Sequence, residues 1–196
     1  MESTKRTSKT FVISDTHFGH NNIIRYCHRP FETVEEMTEA LIDNWNSVVS
    51  NDDEVWHLGD FCCFAKHGFG FDVCKRLNGK KYLVLGNHDE YQFDSDMDMY
   101  FTMGFSKVYD IPVFYKGQFW MSHRPFKSAY GVDVNKIDGI FNIFGHIHNN
   151  GLDFDKYGHK VYLDDITKST FNVSADVIGY TPIEFDKVVS LMKEHE

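Results

Sequence analysis

The chain has 196 residues, of which 29 are acidic and 20 basic, giving a net charge of −9, and it contains 18 Phe, 10 Tyr and 3 Trp. This composition excludes disorder as the main state and indicates one globular domain over 1–196, with residues 1–9 as a flexible N-terminal segment. The acidic balance disfavours sequence-independent binding to duplex nucleic acid, which usually needs a basic excess.

Three helices are predicted, separated by short apolar segments of strand character. The first covers 33–50, where Thr33 begins a capping box. A weaker helix covers 71–77 and ends at an Asn-Gly pair. The last closes the chain, with Thr181 as its N-cap and Pro182 at the first helical position.

Five segments read as strands that are buried on both faces, because they are apolar with little alternation. They are 11–13, 54–58, 82–85, 119–121 and 140–144. Their alternation with helices indicates an α/β architecture, in which ligands bind at the carboxyl edge of the sheet.

Each of these strands runs directly into side chains that can bind metals. The strand ends read Asp15-Thr16-His17, Gly59-Asp60, Gly86-Asn87-His88-Asp89, Ser122-His123 and Gly145-His146-Ile147-His148. The oxygen and nitrogen donors among them are Asp15, His17, Asp60, Asn87, His123, His146 and His148. A set of this size exceeds the needs of one ion and suits two ions that share a bridging carboxylate.

The donor types limit the metal only in part. Imidazole, carboxylate and carboxamide groups without thiolate fit manganese, iron, zinc, cobalt and nickel. We expect two divalent metal ions, with manganese as the first choice and the other four as alternatives.

The ordered set Asp-x-His, Gly-Asp, Gly-Asn-His-Asp, His and Gly-His-x-His resembles the calcineurin-like metallophosphoesterases, from Phe11 to about Ile183. The segments 14–26, 172–176 and 179–182 are similar to a small single-domain subgroup of bacteria and phages. The resemblance implies an α/β fold, a four-layer αββα sandwich of two mixed β-sheets flanked by helices.

The resemblance also implies how the donors divide between the ions. The first ion would be held by Asp15, His17, Asp60 and His148, and the second by Asp60, Asn87, His123 and His146. Two divalent ions and two carboxylates would leave a charge of about +2, which attracts phosphate to an otherwise acidic chain. A metal-bridging hydroxide would then attack phosphorus in line.

Other side chains are expected to assist at this site. His88 would help protonate the leaving oxygen, as the corresponding family histidine is proposed to do, with Asp89 as its orienting partner. His20, Arg25 and Arg124 are candidate substrate contacts. Arg124 stands where relatives commonly have glycine, and an arginine there could grip a phosphate or narrow the entrance.

The expected activity is hydrolysis of a phosphodiester, such as a cyclic nucleotide, a nucleotide-derived diester or a short nucleic-acid end. Alternatives are a phosphomonoesterase, a nuclease that would need a basic track, or a non-catalytic scaffold that retains the fold. The scaffold hypothesis has to explain why His88 and all of the donors are present. A homo-oligomer is left open.

The remaining features favour ordinary structural roles and a reducing compartment. No apolar run approaches the about 20 residues of a membrane-spanning helix, and no secretory signal is seen. Cys27, Cys62, Cys63 and Cys74 suggest neither a zinc ribbon nor a disulfide framework. We therefore expect a cytoplasmic protein without a membrane partner, in which Cys62 and Cys63 serve packing and His57 is a hydrogen-bonded buried residue.

Overall fold

The computed structural model describes residues 6–62, 68–90 and 97–195. Cys63, for which the sequence predicts a packing role, lies outside the described residues. Residues 1–5, part of the N-terminal segment predicted to be flexible, also lie outside them. At Lys9 the chain is already held, because its N–H donates to Asp53 Oδ1 at 2.8 Å and its carbonyl oxygen accepts the Glu54 N–H at 2.9 Å.

Short strands and helices alternate along the chain. The strands are β1 (Thr10–Ile13), β2 (Glu54–His57), β3 (Lys80–Val84), β4 (Lys107–Tyr109), β5 (Val113–Tyr115), β6 (Phe119–Met121), β7 (Phe141–Phe144), β8 (Leu152–Phe154), β9 (Lys160–Tyr162), β10 (Thr170–Asn172) and β11 (Ile183–Glu184). The helices are α1 (Asn21–Tyr26), α2 (Val34–Val48), α3 (Phe69–Arg76), α4 (Asn87–Glu90), α5 (Met97–Met103), α6 (Phe126–Ala129) and α7 (Phe185–Lys193), with a 3-10 helix at Val134–Lys136.

The strands form two mixed sheets and a hairpin. The first sheet has the order β11-β1-β2-β3-β4, in which β1 to β4 are parallel and β11 is antiparallel. The second has the order β10-β7-β6-β5, in which only β5 is antiparallel to its neighbour. Strands β8 and β9 pair as a separate antiparallel hairpin.

The two sheets pack face to face. Successive side chains of a strand point to opposite faces, so Val12, Trp56 and Val84 of the first sheet face the second. There they join Met121 and Ile143, both fully buried, and α7 closes this core. Removing this apolar surface from water is the main force that holds the sheets together.

Helices cover the outer face of the first sheet. The alternate side chains Ile13, Val55 and Leu83 point away from the second sheet and pack in one cluster with Leu41 and Trp45 of α2. Helices α3 and α5 contribute to the same cluster.

Short helices lie against the outer face of the second sheet. The Phe126 N–H at the start of α6 donates to Asn142 Oδ1 of β7 at 2.9 Å, and the 3-10 helix packs on the same strand. The layers are therefore helix, sheet, sheet and helix, which confirms the predicted four-layer αββα sandwich of two mixed β-sheets flanked by helices.

The first two helix predictions are confirmed, with small shifts at the ends. Helix α2 begins after Thr33, whose Oγ1 accepts the Glu36 N–H at 3.1 Å. The Glu36 carboxylate reaches back to the Glu32 N–H at 2.8 Å, one residue before the position expected for a capping box. Helix α3 begins two residues earlier than predicted, after Gly68 in a left-handed conformation.

The predicted start of the last helix is wrong. Ile183 and Glu184 form β11 and pair with Val12 and Phe11 of β1, so α7 begins only at Phe185. The Thr181 hydroxyl donates to the Gly179 carbonyl and does not cap a helix. The pairing of β11 with β1 satisfies backbone N–H and C=O groups at the edge of the sheet. These groups of β1 would lack this partner if α7 began before Ile183.

None of the helices in the described ranges is long and apolar enough to cross a membrane.

Candidate metal centre

The carboxyl ends of the two sheets meet at one place. Beyond β1, Ser14 forms a parallel bridge with Ser174, which follows β10. The Ser14 N–H donates to the Val173 carbonyl and the Ser14 carbonyl accepts the Ala175 N–H, both at 2.9 Å. This junction brings the polar residues that follow β1, β2 and β3 next to those that follow β6 and β7.

Five of the predicted donors have a left-handed backbone conformation, with φ of 56° at Asp15, 50° at His17, 56° at Asp60, 71° at His146 and 49° at His148. Only three other non-glycine residues in the described part of the chain have positive φ. Such conformations turn the chain sharply and are strained for most residues, and they concentrate at functional sites.

The turn before His146 also requires glycine for lack of space. A Cβ at Gly145 would collide with Ser14 Oγ and Asp15 Oδ2. Because of this close approach, the His146 N–H can donate to Asp15 Oδ2 at 2.9 Å. The glycine therefore brings the donors of the two sheets into contact.

Asp60 lies at the centre of the cluster. Its Oδ2 is 3.5 Å from His17 Nε2 and 3.5 Å from His123 Nε2. The other carboxylate oxygen accepts the His88 N–H at 2.9 Å, which fixes the orientation of the group. One carboxylate oxygen thus stands between two sets of donors, as the bridging role requires.

The first set contains Asp15, His17 and His148, whose donor atoms lie within 4.8 Å of one another. His148 Nε2 is 3.8 Å from Asp15 Oδ1, and the rings of His17 and His148 are stacked with centroids 5.1 Å apart. This set has one carboxylate and two imidazoles on the same side of Asp60.

The second set contains Asn87, His123 and His146. His123 Nε2 lies 3.0 Å from Asn87 Oδ1 and 3.2 Å from His146 Nδ1, so three donor atoms converge on one point. The other ring nitrogen of His123 donates to the Leu58 carbonyl at 2.8 Å, which aims Nε2 at the cluster. The structure therefore brings all seven predicted donors together in two groups around Asp60.

Several buried polar atoms in this cluster lack a hydrogen-bond partner among the described residues. They are Asp15 Oδ1 and both ring nitrogens of His17, although the other Asp15 oxygen accepts the Ser174 hydroxyl at 2.9 Å. A buried polar group left unsatisfied costs about 1–3 kcal/mol. Cations bound beside Asp15 Oδ1 and one His17 nitrogen would remove that cost, so the donor set fits metal ions.

The electrostatics of the cluster also favour cations. Burial and the neighbouring Asp15 raise the pKa of Asp60 to about 7. Burial lowers the pKa of His148, but Asp15 and the Asp176 hydrogen bond outweigh it and raise that pKa to about 10. Burial holds the pKa of His17 well below its usual range, which leaves the neutral imidazole that a metal needs. The surroundings thus stabilise positive charge near Asp60 and His148.

His148 is oriented by a buried ion pair. Its Nδ1 donates to Asp176 Oδ2 at 2.6 Å, and the Asp176 carboxylate is held by two Arg29 bonds of 2.8 and 2.9 Å. The same guanidinium donates to the Asp15 and Thr16 carbonyls at 2.7 and 2.9 Å. Arg29 therefore fixes the first donor turn and, through Asp176, the ring of His148. A carboxylate behind a ligating histidine sets its tautomer and strengthens its metal bond.

We predict that Asp176→Asn weakens binding of one of the two metal ions about 10- to 100-fold and leaves the other largely unchanged. The amide keeps the shape of the carboxylate but loses the charge that supports His148 and Arg29. Calorimetric titration of the metal-free protein with Mn²⁺ measures both affinities, and thermal unfolding shows whether the variant is folded. The matched control is Asp155→Asn, which alters a partly exposed Asp–His pair, since Asp155 Oδ2 lies 3.1 Å from His159 Nδ1. A folded Asp176→Asn protein with two wild-type affinities would contradict this role.

A second carboxylate supports His146. Asp153 Oδ1 lies 3.4 Å from His146 Nε2, and both Asp153 oxygens accept Arg124 Nη2 at 2.9 Å. The same Nη2 donates to the Phe154 carbonyl at 2.7 Å. Arg124, predicted to contact the substrate, is thus also hydrogen-bonded to Asp153, the carboxylate beside the candidate donor His146. Its role as a substrate contact stays a prediction.

Of the other two predicted residues, His20 lies beside the first set and Arg25 lies further along the chain in α1. The His20 ring centroid is 5.4 Å from that of His17 and 6.2 Å from that of His88, and burial lowers the pKa of His20 to about 4. Arg25 is exposed, with its guanidinium 5.8 Å from the ring centre of Tyr26. Whether either group binds substrate stays a prediction.

His88 is partly buried beside the cluster, with its ring centroid 5.3 Å from that of His17.

Asp89 has a role that the sequence did not indicate. Its carboxylate accepts N–H bonds from Asp60 at 2.6 Å, Phe61 at 3.1 Å and Gly86 at 2.9 Å. These bonds hold the loop that carries the Asp60 carboxylate. The sequence analysis suggested a different role for Asp89, that of an orienting partner for His88.

His57 and Cys62 have the structural positions that the sequence favours. His57 is fully buried in β2 with Nε2 3.0 Å from Thr16 Oγ1, directly below the Asp15 turn. Cys62 is buried with its thiol 3.2 Å from the Phe18 carbonyl.

The sequence is similar to one protein family and to two individual proteins. The sequence model of the calcineurin-like phosphoesterase family matches residues 8–191. An uncharacterized protein of Methanocaldococcus jannaschii is 36% identical over 187 residues, which is 95% of this chain and 92% of that protein. The gene 66 protein of Mycobacterium phage L5 is 38% identical over 84 residues, 42% of this chain and 40% of the phage protein.

Among solved structures, a protein of unknown function from Aquifex aeolicus superposes with a TM-score of 0.65 at 24% sequence identity. The superposition covers 94% of this chain and 100% of that one. It shows that the two proteins share a fold.

Proposed function

Because the chain belongs to the calcineurin-like phosphoesterase family and is thus a metal-dependent phosphoesterase, we propose that it hydrolyses a phosphodiester at a centre of two metal ions. The observation that carries the proposal is the position of Asp60 Oδ2, 3.5 Å from both His17 Nε2 and His123 Nε2. A single oxygen at that position can serve both ions.

The donors divide between the ions as follows in this proposal. Asp15, His17, Asp60 and His148 hold the first ion, and Asp60, Asn87, His123 and His146 hold the second. Manganese is the expected metal, because carboxylate, carboxamide and imidazole donors without thiolate suit it, and iron, zinc, cobalt and nickel are the alternatives. When bound, the two ions supply charge that stabilises the phosphoryl transition state and lower the pKa of a water molecule.

His88 is proposed to assist the leaving group. Its backbone N–H donates to Asp60 Oδ1 at 2.9 Å, so its position is tied to the bridging carboxylate. Burial, together with the neighbouring His123, lowers the pKa of His88, so the imidazole is neutral at pH 7. A neutral imidazole retains one ring N–H, which can donate a hydrogen bond to the departing oxygen as charge develops on it.

A diester is favoured over a monoester by the charges around the site. A monoester carries two negative charges near neutral pH, and enzymes usually bind it with additional cationic side chains. Arg29 and Arg124 lie close to the donors, but each forms an ion pair with a carboxylate. Arg29 pairs with Asp176, and Arg124 pairs with Asp153. With its two ions, two carboxylates and bridging hydroxide, the proposed centre would carry a charge of about +1, which a singly charged diester balances better than a doubly charged monoester.

A small diester is also favoured over a long nucleic acid. Several basic side chains that could form a track have other partners: Arg76 pairs with Glu39, the buried Lys81 donates to the Leu77 carbonyl, and Lys127 donates to the Tyr162 carbonyl.

Cytoplasmic function is part of the same proposal, since Cys27, Cys62 and Cys74 are buried outside any disulfide, as in reducing compartments.

The test compares bis-p-nitrophenyl phosphate with p-nitrophenyl phosphate as substrates of the Mn²⁺-loaded protein. We expect kcat/KM for the diester to exceed that for the monoester at least about tenfold, a difference of about 1.4 kcal/mol in transition-state stabilisation. Equal values, or a preference for the monoester, would contradict the diester assignment and support a phosphomonoesterase.

A further inference from the structure

A cleft opens directly beside the second set of donors. Its volume is about 370 Å³, and Asn87 and His123 form part of its wall. Its other lining residues include Asp110, Ile111, Pro112, Arg124 and Tyr130. A cleft of this volume is far larger than a phosphate needs and lies within the range of sites for small organic ligands.

Tyr130 offers a fixed aromatic surface in this cleft. It is 57% exposed, and its N–H donates to the Phe126 carbonyl at 3.0 Å, which holds it at the end of α6. Its ring packs edge-to-face on Phe126 at 5.0 Å, and Phe126 in turn packs on Trp120 at 5.4 Å. The ring is thus supported by two buried or partly buried aromatic side chains while more than half of the residue remains accessible to a ligand.

The turn between β4 and β5 adds an aliphatic surface. Ile111 is 65% exposed and is followed by Pro112, and both line the cleft. Single exposed apolar side chains are common, but apolar side chains that line one cleft together and are rimmed by polar residues are typical of ligand-binding surfaces. An aromatic ring and an aliphatic side chain in one cleft suit a flat ring system, which gains free energy by stacking and by leaving water.

Charged groups in the same cleft favour a ring that carries polar edges. Asp110 is exposed and lines the cleft, where its carboxylate can accept N–H bonds from an exocyclic amino group. The Arg124 guanidinium also lines it and is held in place by Asp153. Nucleobases combine a flat stacking face with donors and acceptors at the edge, which a plain hydrocarbon group does not.

From these contacts we propose that the cleft binds the nucleoside part of a nucleotide phosphodiester, with the base against Tyr130 and Ile111. This inference rests on the proposed function, because the cleft gains its role from a phosphate bound at Asn87 and His123. It narrows the substrate class from phosphodiesters in general to those that carry a nucleoside.

The test measures binding and does not depend on turnover. Adenosine 5′-monophosphate and methyl phosphate are titrated into the Mn²⁺-loaded protein by calorimetry. We expect the nucleotide to bind about tenfold tighter or more than methyl phosphate, as stacking of one base predicts. Tyr130→Ala should remove most of this preference without changing the affinity for methyl phosphate, whereas Tyr130→Phe should keep it.

Tyr157→Ala is the matched control, because Tyr157 is 73% exposed on the turn between β8 and β9 and is not among the residues that line the cleft, so both affinities should be unchanged. Equal affinity of the wild type for the two ligands, binding of neither ligand, or an unchanged preference in folded Tyr130→Ala would overturn the proposal. A nucleotide preference that requires Tyr130, in a protein that hydrolyses no diester, would support the cleft assignment and contradict the proposed function.

Discussion

Asp60→Asn is expected to abolish binding of both metal ions and to reduce phosphodiester hydrolysis about a thousandfold or more. The reason is that Asp60 Oδ2 stands between the two donor sets, 3.5 Å from His17 Nε2 and from His123 Nε2. Several kcal/mol of transition-state stabilisation depend on the ions, and about 4 kcal/mol corresponds to a factor of a thousand. Bound metal per chain and bis-p-nitrophenyl phosphate hydrolysis are the two measurements.

The same substitution is expected to stabilise the metal-free protein. Burial and Asp15 raise the pKa of Asp60 from 3.8 to about 7, so wild-type stability falls as pH rises from about 4 to about 7 and this carboxyl ionises in the buried site. Asparagine cannot ionise, so the stability difference in favour of Asp60→Asn should grow over that pH range and level off above it. At pH 8 with chelator we expect the unfolding temperature to rise by more than about 2–4 °C, the shift that about 1 kcal/mol causes in a chain of this length, because a pKa raised from 3.8 to about 7 corresponds to about 4 kcal/mol at that pH.

Asp155→Asn is the control for both measurements, because it removes a partly exposed carboxylate of the β8–β9 hairpin and should leave metal binding unchanged. The lowered pKa of Asp155 places its ionisation below about pH 4, so its removal should not change how stability varies between about pH 4 and pH 8. An Asp60→Asn protein that still bound two ions with wild-type affinity would remove Asp60 from the bridging position.

His88→Ala is expected to lower kcat about 10²- to 10⁴-fold while both metal ions stay bound. His88 is not among the proposed metal donors, and its backbone N–H, which supports Asp60, is retained in alanine. The loss should be larger for a diester with a poor leaving group, such as an alkoxide, than for one that releases p-nitrophenolate, because less negative charge develops on a good leaving group and it gains less from the His88 hydrogen bond.

His159→Ala is the matched control, since the His159 side chain is 76% exposed and pairs only with Asp155 among the ion pairs of the described residues. If the His88→Ala protein loses the same factor with every leaving group, His88 does not assist the departing oxygen. If its metal content falls together with its activity, its role is structural.

The strands and donors of the site could be predicted because both signals are local in the sequence. Buried parallel strands are continuous apolar runs, and the polar groups that follow each run lie at one edge of the fold. The strands β4, β5, β8, β9 and β10 have three residues each, too few to show a period on their own. Strand β6 is equally short, but it runs directly into Ser122-His123, and that polar group marks its end. At β11 the sequence has a helix-capping pattern that begins at Thr181. In the structure Ile183 and Glu184 pair with the edge of the sheet instead, a contact that the local sequence does not show.

The hydrogen bonds that hold the donors could not be predicted in the same way. Arg29 and Asp176 are 147 positions apart and meet only because the β1 and β10 turns join the two sheets. Arg29 lies in a Cys-His-Arg-Pro stretch that has no motif character, and Asp176 appeared only as part of a segment similar to one subgroup. Arg124 was noticed as a departure from relatives, but its bond to Asp153 depends on the placement of β8, a strand too short to predict.

The most direct test of the account is a titration of chelator-treated protein with Mn²⁺, in which bound metal and bis-p-nitrophenyl phosphate hydrolysis are followed in the same samples. Two donor sets that share Asp60 predict two bound ions per chain. The rate of hydrolysis should be zero without metal and should reach its maximum when both ions are bound. Binding of one ion or none, or hydrolysis that persists in the metal-free protein, would contradict the central claim of a two-metal phosphodiesterase.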